Sequence, residues 1–266
     1  MREITFEESK KIMVEILSSI DKCCRENNIN YSLCWGTLIG AIRHHGFIPW
    51  DDDIDVMMSR ADYDRFLSLY NDSRYEIFTP TKNKNFIQIL SKISDKRTEV
   101  YFDNYSHKSL FGLWVSIFPY DNAPDKGLKA WEFKRNILMN LYHIKTVRFL
   151  STDNLFRKFV KCSLKLITLP FSSFALERSI RKCLTQFNNS RTKMISIWPA
   201  DYFTVFKYFP SELFDEYEEV PFENIRCKII KGYDQFLKIE YGDYMSFPPV
   251  EDQVPKHDYK AYFVSE

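Results

Sequence analysis

Four aspartates fall within five positions, Asp51, Asp52, Asp53 and Asp55, with Ile54 breaking the run. Carboxylates this close repel one another and lose hydration when partly buried, so the run calls for a counter-charge, usually a divalent cation. If the run enters a β-strand, alternation puts Asp51, Asp53 and Asp55 on one face and turns Asp52 and Ile54 away. The result is an oxygen platform suited to magnesium or manganese. The flanks favour strand entry over an exposed acidic turn, since Ile48-Pro49-Trp50 precedes the run and Val56-Met57-Met58 follows it.

Upstream, the apolar-leaning Tyr31 to Cys34 leads into Trp35-Gly36-Thr37-Leu38-Ile39-Gly40. A strand that ends in Gly-Thr and turns into a helix presents backbone N–H groups and a hydroxyl, so Gly36 and Thr37 are candidate phosphate ligands. Arg43, His44 and His45 follow before the aspartates. The Arg43 guanidinium can pair two phosphate oxygens at once and never deprotonates, which makes it a candidate catalytic cation. The alternative is a polar helix end, where cations favour the exposed carbonyls.

The stretch GTLIGAIRHHGFIPWDDDID, residues 36 to 55, resembles the signature of the LicD family, bacterial transferases of phosphocholine or a similar phospho-alcohol; fukutin-type proteins are similar. Weaker likeness continues through SRADYDRF (59 to 66), SKISDKRT (91 to 98), GLWVSIFPYD (112 to 121) and YGDYMSFPP (241 to 249). The resemblance implies a nucleotidyltransferase-like α/β (α+β) fold, with a mixed sheet flanked by helices and a helical insertion. It implies a CDP-choline or other CDP-alcohol donor and a hydroxyl acceptor on a cell-surface glycan such as lipopolysaccharide, teichoic acid or a lipid-linked chain. Magnesium or manganese would be held by Asp51, Asp53 and Asp55; catalysis would rest on Asp53, Asp55 and Arg43; Gly36, Thr37, His44, Lys92 and Asp121 would contact substrate. One departure matters. Family members commonly carry an aspartate where this chain has Ser116, and a hydroxyl is a poor base and a weak, neutral metal ligand. A binding protein with weakened turnover and a nucleotidyltransferase are therefore alternatives. Asp121 compensates only if Pro119 breaks the strand alternation between them.

The elements that must position these groups follow from pattern. At 266 residues and 45% hydrophobic content the chain can bury one large core. Three parts are expected: a catalytic core over 1–125, a mainly helical region over 126–200, and a strand pair, helix and tail over 201–266. Periodicity predicts helices over 6 to 27 and 60 to 70, strands over 75 to 79, 87 to 93 and 112 to 118, a strand pair over 220 to 230 turning at Glu223-Asn224, and a helix from Tyr233 to Tyr241 ended by Gly242. Residues 155–169 read as an amphipathic helix with Arg157, Lys161 and Lys165 on one side; it packs on the domain or lies on an anionic membrane. With 37 basic and 36 acidic residues, no net field draws the chain to nucleic acid. Six cysteines without metal-ligand spacing read as reduced thiols, and no secretory or membrane-spanning pattern is seen, so a cytoplasmic protein is expected, with the inner membrane face as an alternative.

Overall fold

A computed structural model describes residues 1–79, 82–83, 86, 90–102, 107–146, 165–166, 168, 170–197 and 206–264. Most of the expected helix over 155–169, and the start of the expected strand over 87 to 93, lie outside the described residues. The fold is mixed α/β, with six α-helices among the described residues.

The chain opens with β1 (Arg2–Glu3) and α1 (Phe6–Glu26). Thr5 accepts from the Glu8 N–H while Glu8 reaches back to the Thr5 N–H, a reciprocal cap that fixes where α1 starts. The helix buries Ile12, Met13, Ile16, Leu17 and Ile20 as one stripe. Then come β2 (Ser32–Leu33), α2 (Trp35–His44), β3 (Asp55–Ser59) and α3 (Arg60–Leu69), the last capped by the Ser59 hydroxyl. Strands β4 (Tyr75–Phe78), β5 (Ser91–Asp95), β6 (Thr98–Phe102), β7 (His107–Lys108) and β8 (Trp114–Ala123) follow.

The main sheet is organised by β8. Its one edge runs parallel to β3, in unbroken register from Asp55↔Ser116 to Ser59↔Tyr120. The other edge is shared antiparallel by β5, over 114–117, and β9 (Met194–Ile197), over 120–123. Pro119 falls in the gap between those two partners. The Ser116 N–H donates to Ile54 on the β3 side, so by alternation the nitrogen of residue 119 faces the gap, and no ladder bond is lost there. The condition for Asp121 to compensate for Ser116 is therefore not met: β8 runs unbroken through Pro119, and Asp121, five residues from Ser116, lies on the opposite face.

Beyond β8 the chain forms α4 (Leu128–Thr146) and α5 (Ser173–Leu184), which clasp a small second core of Trp131, Met139, Tyr142, Leu176, Ile180, Cys183 and Leu184. Strand β10 (Tyr208–Pro210) pairs with β9; β11 (Tyr217–Phe222) and β12 (Ile225–Ile230) form the expected hairpin; α6 (Tyr233–Tyr241) ends at Gly242, which takes a positive φ of 72°. The tail is more than an extended strap. Strand β13 (Tyr259–Phe263) inserts between β1 and β6 in a second sheet ordered β1-β13-β6-β7 and so carries residues 255–258 back to the aspartates.

Candidate functional site

Three neighbouring strands place one row of side chains. Asp55, the first residue of β3, registers with Ser116 on β8, and Ser116 registers with Lys92 on β5. Residues paired across a sheet point to the same face, so Asp55, Ser116 and Lys92 stand side by side. The Asp55 N–H donates to the Thr37 hydroxyl at 2.9 Å, tying the start of β3 to the first turn of α2. The Ser116 hydroxyl hydrogen-bonds the Asp55 carboxylate. Lys92 is 5% exposed, with its ammonium 3.9 Å from the Trp114 ring centre and 4.5 Å from that of Phe111. Burial depresses its pKa to about 7, against the pull of Asp55 and Asp53.

The acidic run does not belong to the strand over its whole length. Residues 51–54 approach as a loop and only Asp55 enters β3. Asp51, Asp52 and Asp53 nonetheless bring carboxylate oxygens within 4.8 Å of one another, a group able to hold a metal. The Asp51 and Asp53 side chains share a hydrogen bond, and Asp55 feels the charge of both. Burial first, then Asp53 and Asp52, raise the Asp51 pKa to about 7; burial raises Asp53 against the opposing charges of His257 and Lys92; burial, then Asp53 and Asp51, hold Asp55 well above the carboxylate range. Asp51 Oδ2 is buried without a hydrogen-bond partner among the described residues. That same atom lies 2.9 Å from where a side chain at Gly36 would begin, so glycine leaves open the space above it. Raised carboxyl pKa values, an orphaned buried oxygen and a cleared approach all fit a divalent cation.

The sign of these shifts gives a prediction. In the folded, metal-free protein Asp51 holds its proton up to about pH 7, whereas in the unfolded chain it releases it near the ordinary carboxylate value of about 4. The folded state binds more protons between those limits, so the Asp51 contribution to stability is full at the acid end and lost as pH rises through about 7. Asp51→Asn, which carries no charge, is expected to raise the melting temperature in chelator, with an advantage that grows from acid to neutral pH. Thermal denaturation across that range checks it; an advantage that is constant with pH contradicts it.

Asp52 keeps an oxygen in the cluster and has a partner that the sequence did not reveal. His257 donates its backbone N–H to Asp52 Oδ2 and places Nδ1 at Oδ1, both at 2.9 Å, while Nδ1 stands 3.9 Å from Asp53 Oδ2. Burial works against a charge on His257, but the Asp52 hydrogen bond and the charges of Asp53 and Asp52 outweigh it and raise the pKa. The Tyr259 hydroxyl also donates to the Asp52 carbonyl. A lone histidine in a polar tail has no local signature; only the return of β13 to the second sheet brings it here.

Other expected site residues are engaged elsewhere. The Thr37 hydroxyl is buried and accepts from the Asp55 backbone N–H, so in this structure it anchors the start of β3. Arg43 donates through Nη1 to the carbonyls of Tyr244 and Ser246 at 3.0 and 3.2 Å, and through Nε to His44 Nε2 at 2.9 Å, with its guanidinium 4.5 Å above the Phe247 ring. It pins the C-terminal segment to the end of α2. Burial and Arg43 lower the His44 pKa, which favours the neutral ring. Asp121, expected at substrate, is a buried acceptor for Arg60 at 3.0 and 2.6 Å and for Asn188 at 2.6 Å.

Residues 28–151 match the family described as LicD/FKTN/FKRP, nucleotidyltransferase domain. Over 273 aligned residues, covering 99% of this chain and 100% of the relative, the chain is 32% identical to the lipopolysaccharide cholinephosphotransferase LicD of Haemophilus influenzae. An uncharacterized protein of Rickettsia prowazekii is 29% identical over 174 residues, 56% of this chain and 65% of that protein. One of Rickettsia typhi is 28% identical over 102 residues, 35% and 33% of the two chains.

Proposed function

The chain belongs to the LicD/FKTN/FKRP family of transferases, and from that premise we propose that it moves phosphocholine, or a similar phospho-alcohol, from a CDP-linked donor to a hydroxyl of a cell-surface glycan of the lipopolysaccharide type. The observation that carries the reading is the coincidence of the acidic cluster with the Asp55-Ser116-Lys92 row beneath the open first turn of α2.

Asp51, Asp53 and Asp55 would hold magnesium or manganese, which when bound supplies positive charge to the diphosphate oxygens. The remaining work belongs to the chain. Gly36 keeps side-chain atoms away from Asp51 Oδ2 and, with Thr37, offers first-turn N–H groups that have no partner within the helix. Lys92, held between Trp114 and Phe111, balances negative charge at the far end of the row. His257 fixes Asp52 and so the path of the loop that carries Asp51 and Asp53. Arg43 keeps the segment of Tyr244 and Ser246 closed on the site. The acceptor hydroxyl attacks the phosphorus that bears choline, CMP leaves, and catalysis is chiefly positioning and electrostatic stabilisation.

Incubating the protein with CDP-choline, magnesium or manganese and lipopolysaccharide, and weighing the products, tests the proposal. Release of CMP with a phosphocholine mass added to the glycan is expected. Addition of a nucleotide mass would assign nucleotidyl transfer instead, and binding of donor without turnover would assign a weakened relative.

Ser116 decides between the last outcome and the first. An aspartate there would stand between Asp55 and Lys92, close enough to share a cation and with a counter-charge beside it. Ser116→Asp is expected to raise turnover at limiting magnesium about tenfold, the worth of one added charge-assisted contact. Titrating magnesium against initial rate for both proteins reads this directly; a lower rate for the variant would show that the Ser116 hydroxyl is itself required.

A further inference from the structure

The near-neutral total charge conceals a separation. Residues 126–197 hold fifteen Lys and Arg against three Asp and Glu, net +12, out of 37 and 36 in the whole chain, so the remainder is net −11. The same region exposes large apolar side chains. Phe133 is 70% and Phe174 58% exposed, with Ile137, Leu166 and Phe171 also open to solvent.

On α4 the buried stripe of Trp131, Arg135, Met139 and Tyr142 faces inward, and the Trp131 indole donates to the Cys183 carbonyl of α5 at 2.9 Å. The outward stripe steps by four through Lys129, Phe133 and Ile137. On α5 the inward stripe is Leu176, Ile180, Cys183 and Leu184, and the outward one steps by four through Phe174, Arg178 and Lys182. Each helix therefore shows an outer face that carries an exposed phenylalanine together with cations, Lys129 and Lys134 on α4 and Arg178 and Lys182 on α5. Among the described residues Lys129, Lys134, Arg178 and Lys182 form no salt bridge, and the acids of the two helices are spent: Glu132 accepts from the Tyr208 hydroxyl and Glu177 is buried.

We propose that the outer faces of α4 and α5 form a docking surface for an anionic lipid bilayer. Charge complementarity selects the partner. Lysine and arginine engage lipid phosphates at the surface while the exposed side chains enter the headgroup–acyl boundary; nucleic-acid bases can stack on Phe133 and Phe174 but offer no host for the exposed aliphatic Ile137 and Leu166. No helix among the described residues is long and apolar enough to cross a membrane, so attachment is peripheral. The inference goes beyond the transfer reaction and stands apart from it, because it concerns a surface that needs neither donor nor metal.

Co-sedimentation of the full chain with phosphatidylcholine vesicles, with and without phosphatidylglycerol, and without CDP-choline or metal, tests it. Binding to the anionic vesicles is expected, weakening as salt rises above about 0.1 M, where the Debye length is about 10 Å. Phe133→Ser with Phe174→Ser is expected to weaken binding at least about tenfold, and each of Lys129→Glu and Lys134→Glu roughly fivefold or more. These positions are exposed, so melting temperature should hold and transfer to a soluble acceptor should continue. Failure to sediment with anionic vesicles, equal binding to phosphatidylcholine alone, binding indifferent to these substitutions, or tighter binding to RNA in the same salt would each overturn the proposal. None of those results bears on phosphocholine transfer, which is read separately by product mass.

Discussion

Asp53→Asn is expected to cut transfer on the order of 10³-fold or more, the scale of losing one preorganised electrostatic partner at a reacting phosphoryl group, while leaving the protein folded. Asparagine keeps the shape of aspartate and removes a charge that burial already disfavours, since the Asp53 pKa is raised chiefly by desolvation. The metal-free fold should therefore tolerate the change or gain from it. Asp55→Asn should behave alike in activity, because Asp55 would share the same cation and its backbone, held by Thr37, is untouched. Initial rates at saturating donor and magnesium, with melting curves in chelator, check both parts. Full magnesium-dependent turnover by either variant would remove the acidic cluster from the mechanism.

Asp121→Ala is expected to act in the opposite way, losing stability before chemistry. Arg60 donates twice to Asp121 in a pair whose side chains are 12% and 4% exposed, so truncation strands a buried guanidinium. Breaking such a pair costs about 3–5 kcal/mol. It also takes the acceptor from Asn188 Nδ2, leaving only the bond from the Asn122 N–H to Asn188 Oδ1 to link that side chain to β8. Denaturant unfolding should show the loss, and Arg60→Met with Asp121→Leu should recover much of it by removing the charge together with its partner. A melting temperature unchanged in Asp121→Ala, with a raised KM for the donor, would instead return Asp121 to the substrate.

The contrast between Asp53 and Asp121 marks what the amino-acid sequence could disclose. Local features were legible: the aspartate run, the hairpin turning at Glu223-Asn224 and the helix from Tyr233 to Tyr241 each rest on neighbours in the chain. The mixed α/β class followed from the interleaving of such segments. Features set by distant pairing were not legible. Whether Asp121 shares a face with Ser116 depended on Pro119 meeting a gap between β5 and β9, which only the sheet order reveals. Arg43 looked like a phosphate cation because its partners, two carbonyls some two hundred residues away, carry no side-chain signal. His257 reaches Asp52 across a similar span. Summed charge likewise hid the basic helical region, because a total has no position.

Calorimetric titration of manganese or magnesium into the protein, alone and in the presence of CDP-choline, tests the central claim most directly. The acidic cluster and the open first turn of α2 should together yield a metal site that the diphosphate tightens, and reciprocally a donor affinity that the metal tightens by the same factor; Asp53→Asn should abolish both. Heat signals that show no metal binding even beside the nucleotide, or undiminished binding by Asp53→Asn, would contradict the account.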